Sequence, residues 1–539
     1  MGIIWRGLTL LVCVCWGCSR HHDVPPQGKH IFRFTMFSNI TSLDPAFARS
    51  QANIWAVHQL YNGLLQLNEG MEVVPCIAKR WVASDDGLRY TFVLRDDVYF
   101  HDNVCFEQGK GRRVKASDVV FSFARLLDEQ VSAPGSWVFK GRVADSQPFV
   151  ALNDTTFVLQ LNKPFHPLLS LLTGQYCSIV APEAVAYYDE RFRANPVGTG
   201  AFQLKKWYEG QALVLEKNIR YFEKDSNNVF LPYVDGAVAH FASDRSTGFL
   251  QFIKHKSDFM SGLNSAYTDQ LLDKQGVLLP HWHNEIQYQK TPYLNVEYIG
   301  IRQNQTANKA LNDVRVRQAL NYAIDREQML AALRNKVGIP ADAGIVPKGL
   351  PAYNPLITKG YTYNPAKARA LLAQAGYPDG NNLPTITITT NTDYQDLITF
   401  VAKQWNNLGI STKIELSESA TLRERMAKEQ IDVFRASWIA DYPDEENFLS
   451  LFYSQNPAPP NYTRFSNPHF DALYEAALKE SNDSIRRMYY HQMDNLLIEQ
   501  APAVFLFYDE SARFLAPNVQ QLPNNSLNLP AIKYAKLKQ

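Results

Sequence analysis

The residues of this chain best placed to do binding chemistry lie in the run Arg435 to Asp444. In Trp438-Ile439-Ala440-Asp441 a carboxylate closes a mostly apolar stretch. Such a carboxylate can hold a ligand's ammonium through a charge-assisted hydrogen bond. It can equally satisfy backbone N–H groups, because Asp441-Tyr442-Pro443-Asp444 is good turn chemistry. Trp438 suits either a core or a pocket wall. The guanidinium of Arg435 can fork onto a carboxylate or make a surface salt bridge. Catalytic chemistry has no comparable foothold: the chain has no G-x-S-x-G elbow, no H-E-x-x-H and no phosphate-cradling Walker loop. His281-Trp282-His283 lacks a third ligand nearby and reads as ordinary strand residues, and His21 and His22 as solvated ones. No enzyme activity, cofactor or metal is expected.

These candidates sit in a chain of 539 residues, too long for one hydrophobic core, so at least two domains are required. Hydrophobic residues make up 46% and charged residues 20%, the balance of a folded globular protein. With 54 Lys+Arg against 53 Asp+Glu there is no basic excess to neutralise phosphates, which excludes nucleic acid as a partner. The 30 Phe, 27 Tyr and 9 Trp exceed the needs of core filling and suit a ligand cleft.

The first residues carry an address. Arg6 precedes the apolar run Gly7 to Gly17, eleven residues long, which fits a signal peptide and is too short to span a bilayer. Cys18 follows Gly17 in a setting like a bacterial lipobox, although Cys15 and Trp16 stand where Leu and a small residue are usual. Cys18 is therefore expected to be lipidated and to open the mature chain, with residues 18–28 as a tether. No later apolar run reaches 18 residues. Of the remaining thiols, Cys76 and Cys105 flank a hairpin-like stretch; they either pair or stay free with Cys177.

Several elements follow from local pattern. Ile31 to Phe37 alternates as a half-buried strand does. Two strands then precede a helix announced by Ser117 and Asp118 before VVFSFARLL. The basic loop with Lys110, Arg112, Arg113 and Lys115 reads as solvated. Gly198 and Gly200 mark a turn before a strand. Residues 313–333 predict one helix of about five turns opened by Asp313. Asn364, Pro365 and Gly376 bracket another helix, followed by the β run PTITITT. Strand and helix alternate in this half, as in an α/β domain.

Six ordered blocks along the chain resemble the large solute-binding proteins of the oligopeptide and dipeptide class: YNGLLQL, the W-x-x-S-D-D-G-x-x-Y-T-F-x-L-R core, NPVGTGAFQLKKW, NDVRVRQALNYAIDRE, YNPAKARALLAQAGYPDG and WIADYPDEENFL. The resemblance implies an α/β, two-lobed periplasmic-binding-protein-like fold with an additional inserted domain. Projected here, the first lobe would comprise 29–62, 195–295 and 501–539, the insert 63–194 and the second lobe 296–500. In peptide binders of this kind the Asp of W-x-x-D takes the peptide's ammonium, which assigns that role to Asp441. Trp438 would line a side-chain pocket, and Arg435 would face the peptide's C-terminal carboxylate. Asp313, Arg315 and Arg317 are read as structural, and the segment after Asp44-Pro45 as near the ligand but without nameable contacts. The implied function is an extracytoplasmic, membrane-anchored monomer that delivers small peptides to the permease subunits of an ABC importer. The alternatives are the same fold holding a nickel complex, haem or oligosaccharide, or acting as a peptide sensor.

Overall fold

The computed structural model describes residues 30–264, 267–304 and 306–538. The signal run, Cys18 and the tether lie outside them. The backbone of the molecule is one sheet of eleven strands. From one edge it runs Thr412–Leu416, Ile386–Thr390, Val433–Ile439, Gln287–Ile301, Ala503–Leu515, Phe259–Ser261, Ile31–Met36, Gly236–Phe241, Ala212–Lys217 and Phe202–Tyr208, with the short Ile339–Pro340 set against Ala503–Leu515. The outer pairs on the Thr412 side are parallel and wrapped by helices, and so is the pairing of Ile31–Met36 with both neighbours. The middle is antiparallel, built by the two long strands Gln287–Ile301 and Ala503–Leu515. A separate four-stranded sheet, Ala78–Ala83, Arg89–Leu94, Thr156–Gln160 and Phe149–Asn153, carries the helix Ala116–Leu127 on its face. Phe123 packs there at 5.6 Å from both Phe149 and Phe157.

Two long strands that cross the middle of a sheet couple its halves, and their ladder shifts register at two places, between Glu297 and Tyr298 and, more widely, between Pro292 and Val296. Pro292 pairs with Glu510 and Val296 with Tyr508, so Tyr293, Leu294 and Asn295 stand opposite Asp509 alone. A bulge of this kind bends a strand and re-aims its side chains. The Leu294 N–H donates to Ser526 O (2.8 Å), and Leu294 O accepts from Ala440 N–H (2.8 Å). The bulge thus ties the C-terminal tail to the segment holding Asp441.

Local readings fare differently where long-range packing intervenes. The helix expected over 313–333 is two, Val314–Tyr322 and Arg326–Arg334. Asp313 caps the first through Arg315 N–H (2.8 Å), but Asp325 caps the second through Gln328 N–H (2.9 Å), and this second cap restarts the chain in a new direction. Arg317 is buried among the carbonyls of Leu311, Asn312, Gln500 and Ala501 and makes no ion pair among the described residues. The helix announced by Ser117 begins at Ala116, and Asp118 accepts from Lys115 N–H (2.8 Å). Arg112, expected in a solvated loop, bridges Asp118 (2.7 Å) and Glu183 (2.6 Å). His281-Trp282-His283 lies on the 3-10 turn Pro280–Trp282 and the residue after it, not on a strand. Cys76, Cys105 and Cys177 are all free thiols. No helix among the described residues is long and apolar enough to cross a membrane.

Candidate functional site

A cavity of about 470 Å³ opens between the two halves of the sheet. One side is lined from residues 49–76, 173–178 and 523–534, with Ala201 and Tyr221; the other from Tyr293 and Ile439 to Asp441. Its position depends on a close backbone crossing. The helix Gln51–Leu60 presents Ile54, Trp55, His58 and Gln59 to the cavity. Its C-terminal end rests on Gly198-Thr199-Gly200. A Cβ on Gly198 would lie 2.1 Å from Leu60 O, and one on Gly200 2.4 Å from Gln59 O. Neither glycine has a positive φ. They are required for close approach, not for the turn that the sequence suggests. Gly200 N–H donates to Leu60 O (3.0 Å), and the Gln59 amide reaches Pro530 O (3.0 Å), fixing the helix to the tail that lines the far wall.

Asp441 stands two residues past the strand Val433–Ile439 and on the cavity wall. It is exposed in the cavity. The chain's turn is served by its neighbour: Asp444 accepts from Glu446 N–H (2.9 Å). Asp441 has no cationic partner among the described residues. Burial pushes its carboxyl up to about 6; the Asn447 amide acts in the opposite direction, and the nearby Glu446 adds to the rise. Asn447 organises the motif. Its side-chain carbonyl accepts from the Trp438 indole N–H (2.9 Å) and from Asp441 N–H (3.1 Å). Trp438 is half-buried and packs on the core of its own half, bracing Asp441 through Asn447 from behind the lining. Tyr442 is buried, stacks on Trp137 at 6.5 Å and donates to Glu446, which also accepts from Tyr474.

Arg435 lies off the lining. It is 8% exposed, donates to Glu297 (2.9 Å from Nε) and stacks over the Tyr394 ring. Burial works against its charge and Glu297 outweighs that effect. A guanidinium on a strand interior meets the neighbouring strand's carboxylate first, which the position in sequence does not reveal.

The opposite end of the cavity has its own charges. Lys533 lies 2.5 Å from Glu223 and 2.9 Å from the Gln66 carbonyl, and Gln66 donates to Glu223 (2.6 Å). Burial opposes the ammonium's charge, and Glu223 more than offsets that. His58 is pushed down to about 4 by burial, with Lys533 adding to the fall, so it is neutral at pH 7. Trp55, Tyr61, Tyr221, Tyr293 and Tyr534 give the wall aromatic surface with polar edges. The cavity is large enough for a small organic ligand and has few fixed polar groups to orient it. Among the described residues no cluster of three or more metal-ligating side chains occurs. Sequence reasoning missed Arg49, Asn447 and Lys533; only Asn447 sat inside a recognised block.

This architecture, a cavity between halves joined by crossing strands, is that of a solute-binding protein. The chain belongs to the bacterial extracellular solute-binding proteins, family 5, whose middle region matches residues 72–460. It is 28% identical over 466 residues to the dipeptide-binding protein of Escherichia coli, covering 83% of each chain. It is 30% identical over 493 residues to haem-binding protein A of Haemophilus influenzae, covering 86% of this chain and 84% of that one. The ABC transporter-associated periplasmic binding protein DppA of Helicobacter pylori, solved with the peptide STSA, superposes with a TM-score of 0.78 at 26% identity, over 95% of this chain and 99% of that one.

Proposed function

We propose that this protein captures small peptides in the cavity and delivers them to an ABC importer from the outer face of a membrane, held there by lipid on Cys18, and that it performs no catalysis. The observation that carries the reading is Asp441: a carboxylate exposed on the cavity wall, its backbone braced by Asn447, with no cationic partner among the described residues. Once a ligand and closure exclude water, such a group is costly to keep ionised unless the ligand supplies the opposite charge, and a peptide's α-ammonium does so. Two relatives named above, one a dipeptide-binding protein and one solved with a tetrapeptide, support the ligand class. The haem-binding relative marks the alternative, but haem brings Asp441 no ammonium to meet. Arg435, committed to Glu297, is read as holding its own half together and Trp438 as positioning Asp441.

The test is calorimetry with peptide and N-acetylated peptide on wild type and Asp441→Asn. Leaving a buried ammonium unpaired costs about 3–5 kcal/mol, or roughly two to four powers of ten in affinity. Asp441→Asn and acetylation should each weaken binding by that much and together by far less than the sum. Wild-type protein that binds acetylated and free peptides equally well would remove Asp441 from the ligand.

A further inference from the structure

The layer built on the four-stranded sheet touches the half that carries Asp441, a fastening separate from the two crossing strands. Its contact residue is Trp137. The turn Pro134–Val138 follows the helix Ala116–Leu127 and runs into Phe139, whose ring packs 4.8 Å from Phe123 and 5.0 Å from Phe149. That anchor fixes the turn to its own layer. The Trp137 ring then meets Tyr176 edge-on at 6.2 Å and stacks on Tyr442 at 6.5 Å, with 23° between the planes. Arg142 braces it, donating to Trp137 O and lying 5.9 Å from the Trp137 ring and 4.9 Å from that of Phe165.

Both rings that Trp137 touches belong to segments of the cavity wall. Tyr176 lies between Gln175 and Ser178, which line the cavity, and a Cβ on the neighbouring Gly174 would lie 4.0 Å from Asp441 O. Tyr442 directly follows Asp441. It comes from the same half as Asp441, yet its ring is buried, 2% exposed, in the core of the opposite half. Its hydroxyl donates to Glu446, which also accepts from Tyr474 and makes no ion pair among the described residues. Burial opposes the Glu446 charge, and Arg142 favours it from across the contact. The helix Pro468–Lys479, which carries Tyr474, completes the fastening: Leu478 packs on the cores of both halves, and its carbonyl accepts from His166 N–H. Parting the halves uncovers the Tyr442 ring and breaks the stack, and both cost free energy.

We infer that Trp137 is a positioning residue for capture: with Arg142 it docks Tyr442, holds the adjacent Asp441 in the cavity wall, and so slows the release of a bound peptide without touching it. This rests on the peptide reading above. Neither Trp137 nor Arg142 lines the cavity. A contact made only when the halves are together stabilises the closed form and must be undone before cargo leaves, so it acts on the rate of leaving and not on that of arriving.

The test loads emptied full-length protein with an equimolar library of free tripeptides and follows loading and, after dilution, release by mass spectrometry of the retained peptide. Trp137→Leu should release about two- to twelvefold faster, the fold-change of one aromatic pair, and load at the wild-type rate. Trp137→Phe keeps a ring and should recover most of the difference, and Arg142→Gln should lose part of it. Tyr442→Leu should also speed release, and the double variant Trp137→Leu/Tyr442→Leu no further than Tyr442→Leu alone. Arg142 is half-buried, so Arg142→Gln carries the test where Trp137→Leu does not fold. Release from Trp137→Leu, or from Arg142→Gln in its place, at the wild-type rate overturns the inference and leaves Asp441 untouched, even where the urea midpoint falls. So does a double variant whose two effects add. A wild type that retains no library peptide overturns the peptide reading and this inference with it.

Discussion

The Asp441 carboxyl, raised to about 6 by burial, gives ligand capture a pH dependence that can be worked out in sign. Only the ionised form attracts an ammonium. At pH 7.5 nearly all of it is ionised; at pH 5 about a tenth is. Affinity for a free-amine peptide should therefore fall about tenfold between those values, and affinity for its N-acetylated form should stay flat. A calorimetric series in which both fall together would assign the pH effect to some other group. For the empty protein the linkage runs the other way. A folded-state value above the unfolded one means Asp441 favours the fold at low pH, and that contribution is lost as pH rises through about 6. At this scale the sequence was informative where chemistry is local. Asp441 and Trp438 sit in one short motif, and the structure puts Asp441 on the cavity wall with Trp438 braced behind it. The ambiguity between turn and ligand residue turns on Asp444, which takes the backbone N–H that Asp441 leaves alone. Lys533 was illegible because it reaches the cavity from a C-terminal segment that no recognised block covers.

Among the elements, the helix Gln51–Leu60 depends on the glycines beneath it. Gly198→Ala would press a methyl group to 2.1 Å from Leu60 O, and backbone cannot yield as a flexible side chain does. The expected cost is about 3 kcal/mol, read as a lower urea midpoint, with weaker peptide binding because Trp55 and His58 ride on the same helix. An unchanged midpoint would show that the crossing has slack. Caps were the most readable feature of these elements. Asn364 caps the helix Pro365–Gln374 through Lys367 N–H (2.9 Å), with Gly376 at a φ of +92° beyond it, as its sequence implies. The break at Asp325 falls within continuous apolar spacing, which predicts a single helix. Periodicity reports which face is buried, and two successive helices can bury matching faces.

For the whole molecule, the bulge from Tyr293 to Asn295 interrupts the ladder where the two long strands pass between halves. Contacts also reach across: Tyr442 stacks on Trp137, and His166 N–H donates to Leu478 O (3.1 Å). A ligand shifts an open–closed equilibrium only through its differential affinity for the closed form. Small-angle scattering should show a smaller radius of gyration with peptide than in the emptied protein; an identical radius, with binding verified, would mean that the halves do not move. The placement of the lining then imposes an order in time. Most of the wall belongs to one half, including Arg49, Trp55 and Lys533, while Asp441 comes from the other. A peptide can dock on the larger wall while still exposed to solvent, and the second half arrives afterwards. If the peptide reading holds, encounter should be permissive and residence selective: a cargo without a free amine should land as readily as the right one and leave before the halves meet. In rapid-mixing scattering, compaction should lag behind the quenching of tryptophan fluorescence by the ligand.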